Sequence, residues 1–378
     1  MSRYRPVPLT RLLRDMMSYA STALDLGFYA IAFRDEGASY EVVQLERLVE
    51  KLWEGAVVEA SLAVRGYEEA VAMVSVFKVV DGLVRVTDVA ADLASLVLRG
   101  IDPPSLLRVA LLSGAEVTAP LRVRSKMRVA EIEDEGVDIV AVRRGGEWII
   151  HPSDDVMLEP GDVVVVRGSP ENVARVTGMR FEVSSGGGEV EEETLRLKKL
   201  ADILLDLGFY SILYGDEIVA LHVQEIEHRL DEEIIYYYEM VSGLGLSPQQ
   251  EYALHKFAEV VENVSDVAAA MASMVRTHRP IHRVIAAAED MSQERILALV
   301  YQGPGGVRLG DTGLQREEVI VVAVRRGERW VPTPPPTVIL EPGDRVIIKT
   351  YVEDLDELLE SVESMGFRVL REKLEIEE

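Results

Sequence analysis

Two arginine pairs, Arg143-Arg144 and Arg325-Arg326, are the side chains of this sequence best suited to gripping a ligand. Adjacent guanidinia can hold a phosphate or carboxylate through bidentate, charge-assisted hydrogen bonds. The alternative is that they solvate the end of a hairpin and pair with the chain's own acids. Carboxylates one helical turn apart form a second group: Glu262 with Asp266, Asp88 with Asp92, Glu46 with Glu50, and Glu227 with Asp231. Each spacing puts two carboxylates on one helix face, where they can share a hard or transition-metal cation. A solvated face is the commoner outcome in an acidic protein. His278 and His282 have ligand-like spacing, but Pro280 breaks the helix that would align them, which favours capping or loop contacts. His222 and His228, near Glu225, carry no stronger signal, Trp148 and Trp330 read as sheet-packing aromatics, and Asp162 and Asp344 as turn residues. Nucleophile-elbow, metalloprotease, EF-hand and phosphate-loop patterns are all missing, so no enzymatic activity is expected.

The elements that must position these residues come in two copies. Val140-Ala-Val-Arg-Arg-Gly145 returns as Val322-Ala-Val-Arg-Arg-Gly327, Trp148 as Trp330, and Leu158-Glu-Pro-Gly-Asp162 as Leu340-Glu-Pro-Gly-Asp344, an offset of 182 residues. Upstream, Leu24-Asp-Leu-Gly-Phe-Tyr29 returns as Leu205-Asp-Leu-Gly-Phe-Tyr210, and Thr87-Asp-Val-Ala-Ala as Ser265-Asp-Val-Ala-Ala. The chain is a tandem duplication. In each downstream block, small and β-branched residues specify a strand, Arg-Gly a tight hairpin turn, and Glu-Pro-Gly-Asp a type II turn leading into another apolar strand. Helical spacing of apolar residues predicts helices over about Leu9 to Phe33, Tyr40 to Val64 and Tyr67 to Leu98, an antiparallel three-helix bundle. An α+β module follows from Glu116 to Gly178: a strand, a short helix near Lys126 to Glu133, the repeated strands, and a closing helix after Ser169. Ser184-Ser-Gly-Gly-Gly188 reads as a linker. The second half repeats this order, with Gly303-Pro-Gly-Gly306 expected as a hairpin loop and a closing acidic helix around Glu353 to Met365.

At the strand blocks the chain resembles the C-terminal TrkA domain, or RCK-C domain, of potassium-transport regulators. The residues that carry the likeness are Glu135-Gly-Val-Asp-Ile-Val-Ala-Val-Arg143, Pro152, Leu158, Gly161-Asp162, Val164 and Gly168. The second copy keeps Glu318-Val-Ile-Val-Val-Ala-Val-Arg325, Pro334, Leu340 and Gly343-Asp344, but has Thr350 in place of the last glycine. Some TrkA-C domains bind cyclic di-AMP across a dimer interface, so the resemblance implies a nucleotide or ion effector, although no cyclic-dinucleotide pocket matches residue by residue. The Gly-x-Gly-x-x-Gly fingerprint that usually accompanies these modules is missing, which leaves the dinucleotide-binding half of the regulatory unit unrepresented. The helical units are similar to PhoU domains, whose bundles often carry a Glu-x-x-x-Asp metal motif. Glu262-Asn-Val-Ser-Asp266 matches it, while Val84 breaks it before Asp88 in the first copy. The expected fold class is therefore α+β multidomain: PhoU-like bundles at residues 1–103 and 184–281 alternating with TrkA-C-like modules at 104–183 and 282–378.

Charge and composition bound the partners. The net charge of −25 argues against nucleic acid or an anionic membrane surface, because both are approached through Lys/Arg fields. The absence of cysteine removes disulfides, thiolate metal sites and cysteine nucleophiles together, and fits a reducing compartment. With neither a secretory leader nor an 18-residue apolar run in view, the expected location is cytoplasmic, without membrane insertion. Asparagine occurs only as Asn172 and Asn263, and arginine outnumbers lysine, a thermophilic bias. The functional expectation implied by the resemblance is a regulatory subunit or sensor of cation transport, with potassium first. It would take a small-molecule or cation effector and no fixed cofactor, form a homodimer, and have a membrane channel or transporter as partner. Two alternatives stay open: a PhoU-like metal-binding regulator of phosphate uptake centred on Glu262 and Asp266, and a ligand-free structural dimer.

Overall fold

The computed structural model describes residues 6–181, 188–314, 319–352 and 355–370. Its first three helices, α1 (Leu9–Phe33), α2 (Glu36–Ala63) and α3 (Tyr67–Leu98), form an antiparallel bundle. On α1 the buried side chains Leu12, Leu13, Met16, Ala20, Ala23 and Leu24 make the apolar stripe that periodicity marks. α2 begins four residues before its expected start, because the Asp35 carboxylate caps it by accepting from the Ala38 backbone N–H.

The first α+β module contains α4 (Ser105–Leu111), β1 (Val117–Arg122), β2 (Met127–Arg128), α5 (Ala130–Glu133), β3 (Asp138–Arg144), β4 (Glu147–Ile150), β5 (Met157–Leu158), β6 (Val163–Gly168) and α6 (Pro170–Thr177). β1, β6, β3 and β4 make an antiparallel sheet in that order, while β2 and β5 pair in a small ribbon. The segment from Lys126 to Glu133, expected as one short helix, is instead a strand followed by one helical turn. Met127 and Arg128 pair with Leu158 and Met157, and tertiary pairing overrides local propensity there. Ser169 caps α6 as expected, accepting from Asn172 N–H, with Pro170 in the first turn.

The second half contains α7 (Glu189–Tyr214), α8 (Glu217–Ser242), α9 (Pro248–Arg276), α10 (Val284–Asp290), β7 (Arg295–Tyr301), β8 (Val307–Arg308), β9 (Val319–Arg326), β10 (Arg329–Pro332), β11 (Ile339–Leu340), β12 (Arg345–Thr350), α11 (Leu355–Ser364) and β13 (Phe367–Leu370). Its sheet, β10-β9-β12-β7-β13, repeats the first and adds a terminal strand. Gly303-Pro-Gly-Gly306 does not close a hairpin: it carries the chain from β7, in the large sheet, to β8, which pairs with β11. The linker at Ser184 and the expected start of the closing helix at Glu353 lie outside the described residues.

The turns follow the residue types. Asp162 N–H bonds the Glu159 carbonyl at 3.0 Å and Asp344 N–H the Glu341 carbonyl at 2.9 Å. Between them Gly161 and Gly343 have φ of +102° and +94°, the type II geometry that glycine accepts. β3 is apolar at consecutive positions because both its faces are covered. Val140 and Ala141 join the bundle core, while Ile139 and Val142 join a local core on the other side of the sheet.

The two halves pack as a pseudo-dimer within one chain. α3 lies against α9, α4 of the first half packs on α7 of the second, and α10 packs on α1 in return. One continuous apolar core spans both bundles and the inner sheet faces. Where α3 meets α9 a Cβ on Gly82 would stand 2.7 Å from Val267 Cγ1, so any larger residue there would force Val267 to shift. Among the described residues, no helix is long and apolar enough to cross a membrane.

Candidate functional site

Each arginine of the two pairs has a separate task. Arg143 leaves its module and donates to both carboxylate oxygens of Asp35, at 2.8 and 2.9 Å, so the residue that caps α2 also anchors β3. Arg325 repeats this with Asp216, the cap of α8, at 3.2 Å, and Arg345 reinforces it at 2.6 Å. Tyr29 and Tyr210 of the repeated hexapeptide bond the same two aspartates, at 3.5 and 3.3 Å. Arg144 and Arg326 turn the other way. They grip Asp162 and Asp344 of the type II turns, each with a shortest contact of 2.6 Å, and donate to the carbonyls of Met157 and Ile339. The Arg144 guanidinium holds the Asp162 carboxyl below the usual carboxylate range. All four guanidinia are thus engaged by carboxylates of their own chain. Trp148 packs beneath Arg143, 5.4 Å from guanidinium carbon to ring centre, and Trp330 edges onto His222.

The acidic pairs remain in two clusters. Asp88 and Asp92 on α3 face Glu46 and Glu50 of α2, while Glu262 and Asp266 on α9 face Glu227 and Asp231 of α8. Burial and mutual repulsion raise the carboxyl groups of Asp88, Glu262 and Asp266. Asp92 is bonded by Lys256 at 2.9 Å, and Arg85 approaches Asp266 at 3.9 Å, so both clusters contribute ion pairs between the halves. Among the described residues, no three His, Cys, Asp or Glu side chains converge to hold a metal ion. His278, at the end of α9, contacts Glu217 at 3.5 Å, while His282 Nδ1 accepts from Val284 N–H, a local cap.

The densest constellation lies where the halves meet, and the sequence reading passed over it. Arg167, on β6 and 1% exposed, donates to Asp138 at 2.7 Å and to Asp25 at 2.5 Å, and contacts Glu294 of the second half at 3.0 Å. Lys349, on β12, donates to Glu116 of the first half at 2.6 Å and approaches Asp206 at 3.4 Å. These are the same residues in repeat register: Arg167 corresponds to Lys349, Asp25 to Asp206, and Glu116 to Glu294. Each cation therefore binds an aspartate of its own bundle and a glutamate of the opposite half. Tyr351 closes the set, donating to Glu116 while Arg167 lies over its ring at 4.1 Å. Beside it Lys198 pairs with Asp202, whose Oδ2 is buried without a hydrogen bond.

Five carboxylates around two cations cannot all ionise cheaply in a desolvated site. Burial pushes Asp25 and Asp206 up to about 7, and it raises Asp202 as well. For Glu116 the same burial is outweighed by Lys349 and Arg167, which bring it down to about 2, and they also hold Glu294 low. His151, whose Nε2 lies 2.5 Å from Thr22 Oγ1, is pushed by burial below the usual histidine range. The signal that could have revealed this junction was present. Asp25 and Asp206 sit on the buried stripe of the repeated hexapeptide, and Arg167 and Lys349 follow an apolar run within a strand of each module. An ionisable residue at such a position must have a partner.

The TrkA-C domain family matches residues 125–178 and 306–362, so the chain carries two TrkA-C domains, one in each half. Each match begins just before the first ribbon strand, β2 or β8. The leading strands β1 and β7, with Glu116 and Glu294, lie outside it. A sequence search found no curated protein similar to the chain. Among solved structures, the RCK domain of GsuK is similar at 13% identity, covering 69% of this chain and 70% of that one, with a TM-score of 0.18. The GsuK channel bound to NAD is likewise similar at 13% identity and a TM-score of 0.18, and the match covers 68% of this chain and 57% of the channel chain.

Proposed function

We propose that the protein is a non-catalytic regulatory subunit of cation transport, potassium first, that works on the cytoplasmic face of a membrane channel or transporter. The observation that carries this reading is the pair of TrkA-C domains, each fastened to a bundle helix at its capping aspartate by Arg143 or Arg325. A change in one domain is then passed to the helix through a charge-assisted bond, and to the other half through the buried junction. A differential binding free energy of about 1–3 kcal/mol between two arrangements is enough for regulation. The test is potassium flux through a co-reconstituted transporter with and without the protein. Flux that changes with the parent protein but not with Arg143→Ala/Arg325→Ala supports the reading, while flux unaltered by the parent across candidate transporters removes it.

A further inference from the structure

At one end of the bundles lies a cleft of about 870 Å³, outside both TrkA-C domains, between the α2–α3 corner of the first half and the segment from His278 to Val284. This is the size range of small-molecule sites. Its floor is apolar, with Leu9, Met73, Val275 and Val284, and its rim carries His278, Arg279, His282 and Arg283. Two acids share the rim. Glu217 is already in contact with Arg276 at 3.6 Å and His278 at 3.5 Å, and Glu69 is the other. Among the described residues Arg279 and Arg283 have no carboxylate partner, in a chain of net charge −25 whose other site arginines are all paired.

The duplication supplies an internal control. The offset of 178 that relates Thr87 to Ser265 places Gly100, Ile101, Pro104 and Ser105 opposite His278, Arg279, His282 and Arg283. All four basic or imidazole side chains are thus confined to the second copy. The first copy has Asp102 here, paired with Arg34. Position 278 is also left-handed, with φ +49° against +68° at Gly100, so the second copy holds a histidine where glycine would be unstrained. Backbone strain of this kind costs about 1 kcal/mol or more and collects at functional positions.

We propose that this cleft binds an organic anion: a carboxylate, sulfonate or phosphate attached to an apolar ring or short acyl body. The apolar part lies on Leu9 and Ile281, which line the cleft and are only half-buried, and the anionic group is received by Arg279 and Arg283 in bidentate, charge-assisted hydrogen bonds. The site is independent of the transport reading and is tested without a transporter.

The experiment is calorimetric titration of the full chain at low salt with 8-anilinonaphthalene-1-sulfonate, with the uncharged analogue N-phenyl-1-naphthylamine in parallel. Saturable binding at one per chain is expected, weakened about tenfold in Arg279→Gln/Arg283→Gln for the sulfonate and nearly unchanged for the neutral probe. Ala72→Phe, which narrows the cleft, should weaken both. If that variant fails to fold, the arginine variant still decides. No saturable one-to-one binding, or equal sulfonate affinity in parent and arginine variant, overturns the proposal.

Discussion

At the residue scale the chain is governed by which carboxylate each cation serves. Arg167, itself buried, serves Asp25, Asp138 and Glu294. Removing it strands these carboxylates, and Arg167→Met should lower stability by about 3–5 kcal/mol, read by urea denaturation. The same site sets the pH dependence. Burial pushes Asp25 and Asp206 up to about 7 in the folded chain, well above the ordinary aspartate value of 3.8. Between about pH 4 and 7 the folded state keeps protons that the unfolded chain has released, so this contribution to stability falls as pH rises and levels off above 7. Glu116, drawn down to about 2, acts oppositely: its contribution is complete above the ordinary glutamate value of 4.5 and is lost towards pH 2. Denaturation at pH 5 and pH 8 should show a smaller loss for Asp25→Asn/Asp206→Asn than for the parent, and equal losses would contradict the assignment. The sequence made the four site arginines visible but not their partners. Asp35 and Asp216 are distant in the chain, and only the fold shows that each helix cap is also a clamp.

At the scale of elements, three positions of the repeated hexapeptide Leu-Asp-Leu-Gly-Phe-Tyr have defined tasks. Its aspartate enters the junction, its tyrosine bonds the cap of the next helix, and its glycine lets two helices touch. A Cβ at Gly208 would come within 2.9 Å of Ala268 Cα, whereas at Gly27 the nearest atom, the Ala90 carbonyl oxygen, is 3.2 Å away. Helix propensity favours alanine by about 1 kcal/mol, but overpacking against backbone costs about 1–3 kcal/mol. Gly208→Ala should therefore destabilise, and by more than Gly27→Ala, as thermal denaturation of the two variants would show. Helix ends at Phe33 and Leu98 were legible because the apolar spacing runs out there. The short helices α4 and α10 were not, since seven residues hold too few turns for periodicity to register. Their burial comes from the opposite half, α4 on α7 and α10 on α1. β13 was missed for the same reason: four residues gain strand structure only by pairing with β7.

At the scale of the whole molecule, the duplication was plain from the repeated landmarks, but the reciprocal way in which the copies join was not. Glu116 binds Lys349 and Glu294 binds Arg167 at sequence separations that no local pattern spans. Each half leaves an opposite-half glutamate and helix unsatisfied when alone. Residues 1–183 and 184–378 produced separately should be poorly folded yet recover native-like helicity when mixed, as circular dichroism would show. Independent, fully folded halves would speak against an obligate junction. The three tryptophans report on different parts: Trp53 on α2 of the first bundle, Trp148 on the first TrkA-C domain and Trp330 on the second. The most direct measurement is urea unfolding followed by fluorescence in two single-tryptophan proteins, one retaining Trp148 and the other Trp330. Coincident transitions are predicted, because the buried junction makes the two TrkA-C domains unfold together. Transitions with clearly different midpoints would contradict it.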